Sequence, residues 1–525
     1  MTAVRPKTPW IWGLLLLSFL SQAQITNTST DEETHYRPHF HFSPQSQWIN
    51  DPNGMFYFNG TYHLFFQHHP YSNVWGPMHW GHAHSTDLLN WTEDPIALYP
   101  DALGTIFSGS AVVDHNNTSG FGTENQVPIV AIYTNHDPEG EKNGSIRFQT
   151  QSIAYSLDEG QTWTKYDHNP VIANPGIKDF RDPKVFWDTQ NQQWVMALAA
   201  KDVVHFYRST DLKNWGFLSE FGQNIGNHQG VWECPELFRL PVDGTDTQKW
   251  VLLVSINPGA PNGGSATQYF IGEWDGKTFV PDADFSHQMA QNHNFWLDFG
   301  KDNYASVSFD NHPRSDQKRI IIGWMSNWEY ARDVPTQKWK NHMTLPRLLD
   351  VIPQGNSYRL RSQPIAAVRQ KSISKKKWNA LDIENSITLA NTAELPLDRL
   401  LLSGDFAIPQ EGILQFRMTS PSGDELRFGY NSDTNEFFLD RSQMQIPSFS
   451  ESFAKTIQTA PRTATASNSS LKIVVDKTAI ELFFDGGQTV LSALFFTKTP
   501  FDQIQLESIS NKSTFSSLEL FEIQP

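Results

Sequence analysis

The sequence predicts an all-β protein, a five-bladed β-propeller followed by a C-terminal β-sandwich. Short apolar and aromatic runs alternate with turn residues along most of the 525-residue chain, and long amphipathic helical patterns are nearly absent. A turn motif recurs roughly every 50 to 70 residues in the first two thirds of the chain. From about residue 379 the strand pattern continues without that motif, which indicates a second β domain.

The first 23 residues have the pattern of a secretory signal peptide. Arg5 and Lys7 precede a short apolar run, and Ser21 and Ala23 provide small residues for a cleavage site. The run is too short to span a bilayer, and no later segment is long and apolar enough. We therefore expect a secreted, extracellular protein without a membrane anchor. Eight N-x-S/T sequons fit a glycoprotein surface: Asn27, Asn59, Asn90, Asn116, Asn117, Asn143, Asn468 and Asn511.

The charge and composition narrow the range of partners. The formal net charge of −16 opposes binding to nucleic acid and to anionic membranes, and it suits a neutral substrate. Aromatic residues make up 13% of the chain, including 18 Trp. Such rings can stack on sugars, although β-rich cores use them as well.

The repeated turn motif distinguishes a propeller from other all-β folds. STDLLNW, SLDEGQTW and STDLKNW end at Trp91, Trp163 and Trp215, and the related EWDGKTF ends at Phe279. Four-stranded blades recur at roughly 40 to 50 residues, and longer loops lengthen this period. This period predicts five blades over residues 36–350.

The remaining residues are predicted as a connector and a sandwich. Residues 351–378 are more basic and lack the blade pattern, so they are predicted to form a linker, and residues 379–525 to form the sandwich. Leu414, Phe416 and Met418 alternate with polar residues as in a half-buried strand. Asp485 and Gly486 mark a hairpin turn between two further strands.

Three stretches place a carboxylate and a Pro within apolar strands. They are WINDPNG with Asp51, FRDPKVFW with Asp182, and VWECPEL with Glu233. Asp before Pro is also ordinary turn chemistry, so the first stretch alone predicts a turn as well as it predicts a site. Burial of a charged side chain in an apolar strand costs free energy, however. The interval from Asp51 to Asp182 corresponds to about two blades, and the interval from Asp182 to Glu233 to about one. Because the innermost strands of all blades meet at the axis, we expect the three side chains to converge.

Cysteine and histidine give weaker signals. Cys234 is the only cysteine, so no internal disulfide can form, and its position predicts a buried structural thiol rather than a nucleophile. Histidines crowd one region but match no familiar zinc spacing, so we predict packing and hydrogen bonding and no metal. These histidines are His63, His68, His69, His79, His82 and His84.

Together the three stretches resemble glycoside hydrolase family 32, the invertases, exo-inulinases and levanases. The likeness continues in HLFFQHHP, WGHAHSTDLLNW, IFSGSAVV, GWMSNWEY and the late ELFFDGG. It implies a five-bladed propeller joined to a sandwich, and hydrolysis of β-fructofuranosides with retention of configuration. It implies further that Asp51 is the nucleophile, Glu233 the general acid/base, and Asp182 the residue that holds sugar hydroxyls.

The same resemblance implies a pocket for the terminal fructose, and the chemistry of the reaction needs no cofactor. The implied pocket residues are Trp48, Asn50, Gln67, Trp75, Phe107, Ser108, Arg181 and Trp328. Glu236 stands where many members have Gly, which predicts an altered pocket rim.

The reaction explains why two carboxyl groups are needed. Cleavage of a fructosyl ketal builds positive charge on the anomeric carbon, and the departing oxygen needs a proton. Retaining enzymes place the two carboxyls about 5 to 5.5 Å apart, one to attack and one to donate. Asp51 must stay ionised and Glu233 must be protonated at the working pH, so we expect an acidic optimum.

Several alternatives stay open at this level. A fructosyltransferase shares the first half reaction, related propellers include arabinan-type furanosidases, and a carbohydrate-binding protein without catalysis belongs to a different class. The pocket residues do not rank sucrose, inulin and levan as substrates. The sequence leaves open whether the protein is a monomer or a homodimer.

Overall fold

The computed structural model describes residues 1–2, 35–123, 126–313, 316–445, 449–454, 456–509 and 512–524. The predicted signal peptide, residues 1–23, lies outside the described residues apart from its first two. Five four-stranded units surround one axis, and two packed sheets follow them. The prediction of a five-bladed propeller followed by a β-sandwich is confirmed.

The first two blades are antiparallel meanders that each begin at the axis. In the first blade, the short strand β19 (Trp339–Lys340) pairs in parallel with β1 (Gln47–Phe58), so a late segment of the propeller is fastened to the first blade. The first blade comprises β1 (Gln47–Phe58), β2 (Thr61–His69), β3 (His79–Ser85) and β4 (Thr92–Leu98). The second comprises β5 (Thr105–Val113), β6 (Ile129–His136), β7 (Gln149–Ser156) and β8 (Thr164–Lys165), with helix α1 (Pro138–Lys142) between β6 and β7.

The next two blades repeat this arrangement. The third comprises β9 (Phe180–Asp188), β10 (Gln193–Ala200), β11 (Val203–Ser209) and β12 (Gly216–Phe221). The fourth comprises β13 (Val231–Pro241), β14 (Gln248–Asn257), β15 (Ala266–Trp274) and β16 (Phe279–Pro281), followed by helix α2 (Ala283–Gln291).

The fifth blade extends further along the chain than predicted. It comprises β17 (Tyr304–Ser308), β18 (Arg319–Met325), β21 (Arg347–Gln354) and β22 (Ser357–Pro364), with β20 (His342–Met343) paired to β18. Residues 351–378, predicted as a linker, therefore include the outermost strand of this blade and the first strand of the sandwich. Both strands are edge strands rich in polar residues, and those of the sandwich strand face the solvent, which explains the change in composition.

The predicted turn motif lies at the same place in four blades. Asp87, Asp158, Asp211 and Asp275 each accept hydrogen bonds from backbone amides of the turn that joins the third strand to the fourth. In the first three of these turns the Trp indole donates to a carbonyl of the same turn. The motif therefore stabilises the turn between the two outer strands of the blade.

The sandwich consists of a seven-stranded and a six-stranded sheet. The first contains β23 (Ser372–Trp378), β24 (Leu381–Ile383), β26 (Leu400–Ala407), β31 (Asn468–Val475), β32 (Ala479–Phe484), β33 (Thr489–Leu494) and β35 (Ser513–Ile523). The second contains β25 (Ser386–Asn391), β27 (Ile413–Thr419), β28 (Glu425–Asn431), β29 (Glu436–Gln443), β30 (Gln458–Pro461) and β34 (Gln503–Ile509). Helix α3 (Ala366–Gln370) precedes the first sheet, and the predicted turn at Asp485 and Gly486 joins β32 to β33.

The two domains share one apolar core. Buried side chains of the fourth blade, such as Leu252 and Phe270, belong to the same packed cluster as Leu482 and Leu491 of the sandwich. In the described part of the chain, none of the helices has the length and hydropathy that a membrane crossing requires.

Candidate active site

All five innermost strands are bulged near their first residues, at the same end of the propeller. A bulge inserts an extra residue into one strand and turns its side chain away from the regular alternation. The register shifts fall between Ile49 and Pro52, Ile106 and Gly109, Arg181 and Lys184, Glu233 and Glu236, and Tyr304 and Val307. Most of the predicted site residues therefore lie at or beside a bulge.

Three of the bulges place a residue other than Gly in the left-handed backbone region, one of them at Ala305, which has a φ of 52°. Asp182 has a φ of 66° and Cys234 a φ of 46°, and each is followed by a Pro. Such backbone angles are costly for residues with a Cβ, and they concentrate at functional sites. The Pro residues noticed in the sequence thus mark the points at which the inner strands turn their side chains toward the axis.

The bulges surround one cavity of about 430 Å³ at the end of the axis. All three predicted catalytic carboxylates, Asp51, Asp182 and Glu233, line it. Seven of the eight predicted pocket residues line it too: Asn50, Gln67, Trp75, Phe107, Ser108, Arg181 and Trp328.

Trp48 is the exception among the predicted pocket residues. Its side chain is 0% exposed, and its ring stacks behind Trp328 at 6.1 Å between centroids. Its indole N–H donates to Asn50 Oδ1 at 2.8 Å. Trp48 therefore supports the cavity wall from behind.

Asp51 is held by two neighbouring donors. Ser108 Oγ donates to its Oδ2 at 2.7 Å, and Asn50 Nδ2 donates to its Oδ1 at 3.0 Å. Burial and the nearby charge of Glu233 raise the pKa of Asp51, and these two hydrogen bonds oppose the increase.

Asp182 is the most enclosed of the three carboxylates. Burial raises the pKa of Asp182 to about 7, against the opposing effect of Arg181. Arg181 precedes it in the chain, but Arg181 Nε approaches Asp182 Oδ2 only to 4.0 Å. The backbone N–H of Cys234 donates to the same oxygen at 3.1 Å.

Glu233 receives the guanidinium group of Arg181 instead. Arg181 Nη2 and Nε donate to Glu233 Oε1 at 2.8 and 3.1 Å, and Arg181 Nη1 donates to Asp179 Oδ1 at 2.7 Å. The hydroxyl of Tyr304 donates to Glu233 Oε2. Tyr304 was not predicted, since its sequence context, DNYASVS, lacks the proline that follows each of the three predicted carboxylates.

Cys234 links two of the carboxylates. Its Sγ lies 3.8 Å from Asp51 Oδ2 and 3.7 Å from Asp182 Oδ2, and its side chain is buried. Burial and the surrounding carboxylates raise the pKa of the Cys234 thiol. The thiol therefore stays protonated and packs between two acidic side chains, which fits the prediction of a structural role.

One wall of the cavity was missed by the sequence reasoning. His136 stacks face to face on Phe107 at 4.2 Å between centroids, and Phe148 packs against its edge. His136 Nε2 lies 3.2 Å from Glu141 Oε2, and Glu141 belongs to helix α1. His136 is the last residue of β6, and Glu141 and Phe148 come from the long connection between β6 and β7, where no motif marked them.

The opposite rim is aromatic and basic. Trp75 and Trp328 line the cavity, and the guanidinium carbon of Arg332 lies 5.9 Å from the ring centroid of each. This rim brings together residues of the first blade and of the loop after β18.

Glu236 does not lie at the rim, contrary to the expectation from the sequence. It is buried on the axis, where the backbone N–H of Ser308 donates to it at 2.7 Å and Lys184 Nζ lies 3.3 Å away. The bulge of β13 turns Glu236 inward below the cavity, so this residue joins three inner strands.

Among the described residues, no group of three or more His, Cys, Asp or Glu side chains is arranged to hold a metal ion.

Comparison with known protein families agrees with this geometry. A model of the glycosyl hydrolases family 32 N-terminal domain matches residues 41–364, and a model of the C-terminal domain of the same family matches residues 364–522. The levanase of Bacillus subtilis is 45% identical over 483 residues, which cover 91% of this chain and 69% of the levanase. The extracellular exo-inulinase of Aspergillus niger is 40% identical over 492 residues, covering 88% of this chain and 89% of the exo-inulinase.

Solved structures show the same likeness. The exo-inulinase of Aspergillus awamori aligns with a TM-score of 0.83 and 36% identity, over 93% of this chain and 98% of that chain. A fructofuranosidase of Schwanniomyces occidentalis complexed with fructose aligns with a TM-score of 0.81 and 32% identity, over 94% and 99%. The two matched domains span nearly all of the described residues, and the chain belongs to glycosyl hydrolases family 32.

Proposed function

We propose that this protein is a secreted β-fructofuranosidase that hydrolyses terminal, non-reducing β-D-fructofuranosyl residues of sucrose and fructans with retention of configuration. The observation that carries the proposal is the meeting of three carboxylates from three blades in one cavity. Its walls combine aromatic rings with amide and hydroxyl groups, a composition suited to a neutral sugar. The names of the relatives, levanase and extracellular exo-inulinase, support fructan as a substrate and secretion as the destination.

In this proposal the two half reactions divide the work between two carboxyl groups. Asp51 attacks the anomeric carbon of the terminal fructose while Glu233 protonates the departing oxygen, so that a covalent fructosyl–enzyme forms. Glu233 then removes a proton from water, and the water oxygen displaces Asp51 from the same carbon. The second displacement restores the original configuration.

The neighbouring groups serve these roles. Ser108 and Asn50 hold Asp51 in one orientation, which limits the entropy lost on reaching the transition state. Arg181 and Tyr304 hold the carboxyl group of Glu233 from two sides. Asp182 and the amide of Gln67 are placed to accept and donate hydrogen bonds to fructose hydroxyls.

The experiment that tests the proposal follows the products of Asp51→Asn and of the parent enzyme. The parent should release fructose from sucrose, inulin and levan, and NMR spectra recorded before mutarotation should show the β-anomer first. Asp51→Asn keeps the size of the side chain but removes the nucleophile, so we expect kcat to fall by roughly 10³-fold or more. Asp333→Asn, an exposed change outside the cavity lining, is the matched control and should keep full activity.

Three results would contradict the proposal. The α-anomer as first product would exclude a covalent intermediate on Asp51. Kestose in excess over free fructose at high sucrose would indicate a fructosyltransferase. Sugar binding without any turnover in the parent would indicate a non-catalytic carbohydrate-binding protein.

A further inference from the structure

Two exposed tyrosine rings stand beside the cavity and take no part in its walls. Tyr71 is 72% exposed and Tyr99 is 52% exposed. Each packs edge-on against the ring of His79, at 5.5 Å between centroids and 79° between planes. His79 itself is buried, so the two tyrosines flank one fixed imidazole ring and form a surface that we name the tyrosine pair.

The tyrosine pair lies at the same end of the propeller as the cavity. Antiparallel strands place the β2–β3 loop and the β4–β5 loop at the end where the inner strands begin. Tyr71 belongs to the first of these loops and Tyr99 to the second. The exposed Val74 extends the surface toward Trp75, which lines the cavity.

The loop that carries Tyr71 is held firmly. The backbone N–H of Trp48 donates to the carbonyl of Ser72 at 3.2 Å, and His69 Nδ1 donates to the carbonyl of Val74 at 2.7 Å. Asn73 Nδ2 donates to the carbonyl of Gln337 at 2.7 Å. Tyr71 and Trp75 therefore keep a fixed relation to each other.

The loop that carries Tyr99 is anchored in a similar way. Lys165 Nζ donates to the carbonyl of Tyr99 and to Asp101 Oδ2, both at 2.5 Å. Asp101 and Gly104 exchange two backbone hydrogen bonds of 3.1 Å just before β5 begins. Because β5 carries Phe107 and Ser108, this anchor connects the tyrosine pair to the cavity wall.

Exposure of large aromatic rings is uncommon in this protein. Among the described residues, only three aromatic side chains are strongly exposed, namely Tyr71, Tyr99 and Phe217, and two of them share His79. A tyrosine presents an apolar face and a hydroxyl, the combination that binds a sugar ring through stacking and hydrogen bonding at a low entropic cost.

We propose that the tyrosine pair is a distal binding surface for the part of a fructan chain that extends out of the cavity. The inference rests on the proposed function, and it adds that polymeric fructan, rather than sucrose, is the substrate class to which this surface is adapted. A sucrose molecule ends one sugar beyond the scissile bond, whereas a long chain continues across the rim past Trp75 to the tyrosine pair.

The experiment compares Tyr71→Ala, Tyr99→Ala and the double variant with the parent enzyme. For the double variant we expect KM for long-chain inulin or levan to rise about 5- to 10-fold, equivalent to about 1 kcal/mol of lost stacking. KM and kcat for sucrose should stay within about 2-fold of the parent values. Phe217→Ala is the matched control, since Phe217 is 57% exposed and also packs edge-on against a histidine, but on the third blade.

A binding measurement separates this inference from the proposed function. Affinity electrophoresis through gels that contain inulin reports binding of the full chain in the Asp51→Asn background, with or without turnover. In the Asp51→Asn background, the double tyrosine variant should migrate faster than the Asp51→Asn enzyme. Phe217→Ala in the same background should migrate at the same rate as the Asp51→Asn enzyme. The inference would be overturned if the gel retarded the double tyrosine variant as strongly as the Asp51→Asn enzyme. It would also be overturned if the double variant changed KM equally for sucrose and for the polymer.

The remaining occupant to exclude is a second copy of the chain. Size-exclusion chromatography of the parent and of the double variant should give the same elution volume. A parent dimer that the double variant converts to a monomer would overturn the inference in favour of a self-association surface.

Discussion

The charge of Asp51 depends on a balance of opposing neighbours. Burial and the carboxyl of Glu233 raise its pKa, whereas the hydrogen bonds from Ser108 and Asn50 lower it. A hydrogen bond to an ionised carboxylate contributes about 1.5 to 3 kcal/mol to the charged form. Single neighbours of Asp51 therefore decide the pH range over which it can act as a nucleophile.

Ser108→Ala should move the acidic limb of the pH profile to higher pH. Removal of the 2.7 Å hydrogen bond disfavours the ionised carboxylate, so a higher pH is needed to ionise Asp51. On the acidic limb we expect kcat/KM to fall by roughly 10-fold or more, with a smaller loss on the alkaline side. The measurement is kcat/KM for sucrose from pH 3 to pH 8.

The control for this prediction is Ser110→Ala on the same strand. Ser110 Oγ donates to the carbonyl of Pro183 at 3.0 Å and does not contact Asp51. If Ser108→Ala lowered activity equally at every pH, Ser108 would act by binding substrate and not through the ionisation of Asp51.

At the scale of elements, the β-bulges explain how strands far apart in sequence supply one site. A regular strand alternates its side chains, so two neighbouring residues such as Asn50 and Asp51 would face opposite sides. The bulge on β1 removes this constraint, and both line the cavity. The same device on β9 brings Arg181 and Asp182 to the cavity together.

The first blade also contains a column of stacked rings, and this column makes the stability of the folded protein depend on pH. Phe56 stacks on His63, His63 on His82, and His82 on Phe65. Burial lowers the pKa of His63 to about 4 and that of His82 to about 3. Both rings are therefore neutral in the folded protein at moderate pH.

His82→Gln should reduce the loss of stability in acid. An unfolded histidine takes up a proton below about pH 6.5, whereas folded His82 resists protonation down to about pH 3, so stability is complete above pH 6.5 and falls as the pH decreases. Removal of one such group should lessen the decrease between pH 7 and pH 4.5 by about 2 kcal/mol. Chemical denaturation at both pH values measures the difference.

The exposed His168 provides the comparison for this effect. His168→Gln changes the same side chain outside the stacked column and should leave the pH dependence of unfolding as it is in the parent. An equally steep decrease in His82→Gln and the parent would show that the column does not limit acid stability.

At the scale of the whole molecule, fully buried charged groups cross the boundary between propeller and sandwich. Arg347 pairs with Asp298 at 2.7 Å and with Glu481 at 2.8 Å, and Arg441 pairs with Asp302 at 2.7 Å. Buried ion pairs add little net stability, but removal of one partner is costly, so they favour one relative position of the two domains.

Much of this architecture could be predicted from the sequence because its signals are local. The turn motifs indicated the blade count, and the Pro residues that follow Asp51, Asp182 and Glu233 within two positions marked the inner strands. The resemblance named eight pocket residues, and seven of them line the cavity. Each of these patterns depends only on the residues of a single strand or turn, so it can be recognised in the sequence.

The remainder depends on contacts that no local pattern specifies. Trp48 and Trp328 are both tryptophans of the predicted pocket, but Trp48 in β1 is fully buried and only Trp328, in the loop after β18, lines the cavity. Tyr304 reaches the site from the first residue of β17, and His136 from the last residue of β6. The linker was misplaced because edge strands rich in polar residues have the composition of a connector.

The cross-domain network also fixes the loop that carries the aromatic rim. The hydroxyl of Tyr330 donates to Asp302 Oδ1 and accepts from Arg441 Nη2, both at 2.7 Å, and its ring packs against Phe453 of the sandwich. Tyr330 lies two residues from both Trp328 and Arg332, and its backbone N–H donates to the carbonyl of Asn327 in the same turn. The sandwich thus braces one rim of the cavity from behind.

Tyr330→Phe should therefore weaken substrate binding although residue 330 does not line the cavity. The change removes two buried hydrogen bonds and keeps the ring, so we expect a loss of stability of about 1 to 3 kcal/mol and a several-fold higher KM for sucrose, with kcat nearly unchanged. Tyr430→Phe is the matched control, because the Tyr430 hydroxyl donates to Asn435 within the sandwich. Equal KM values in the two variants would contradict the bracing role, since both lose a tyrosine hydroxyl and only Tyr330 connects the sandwich to the loop of Trp328.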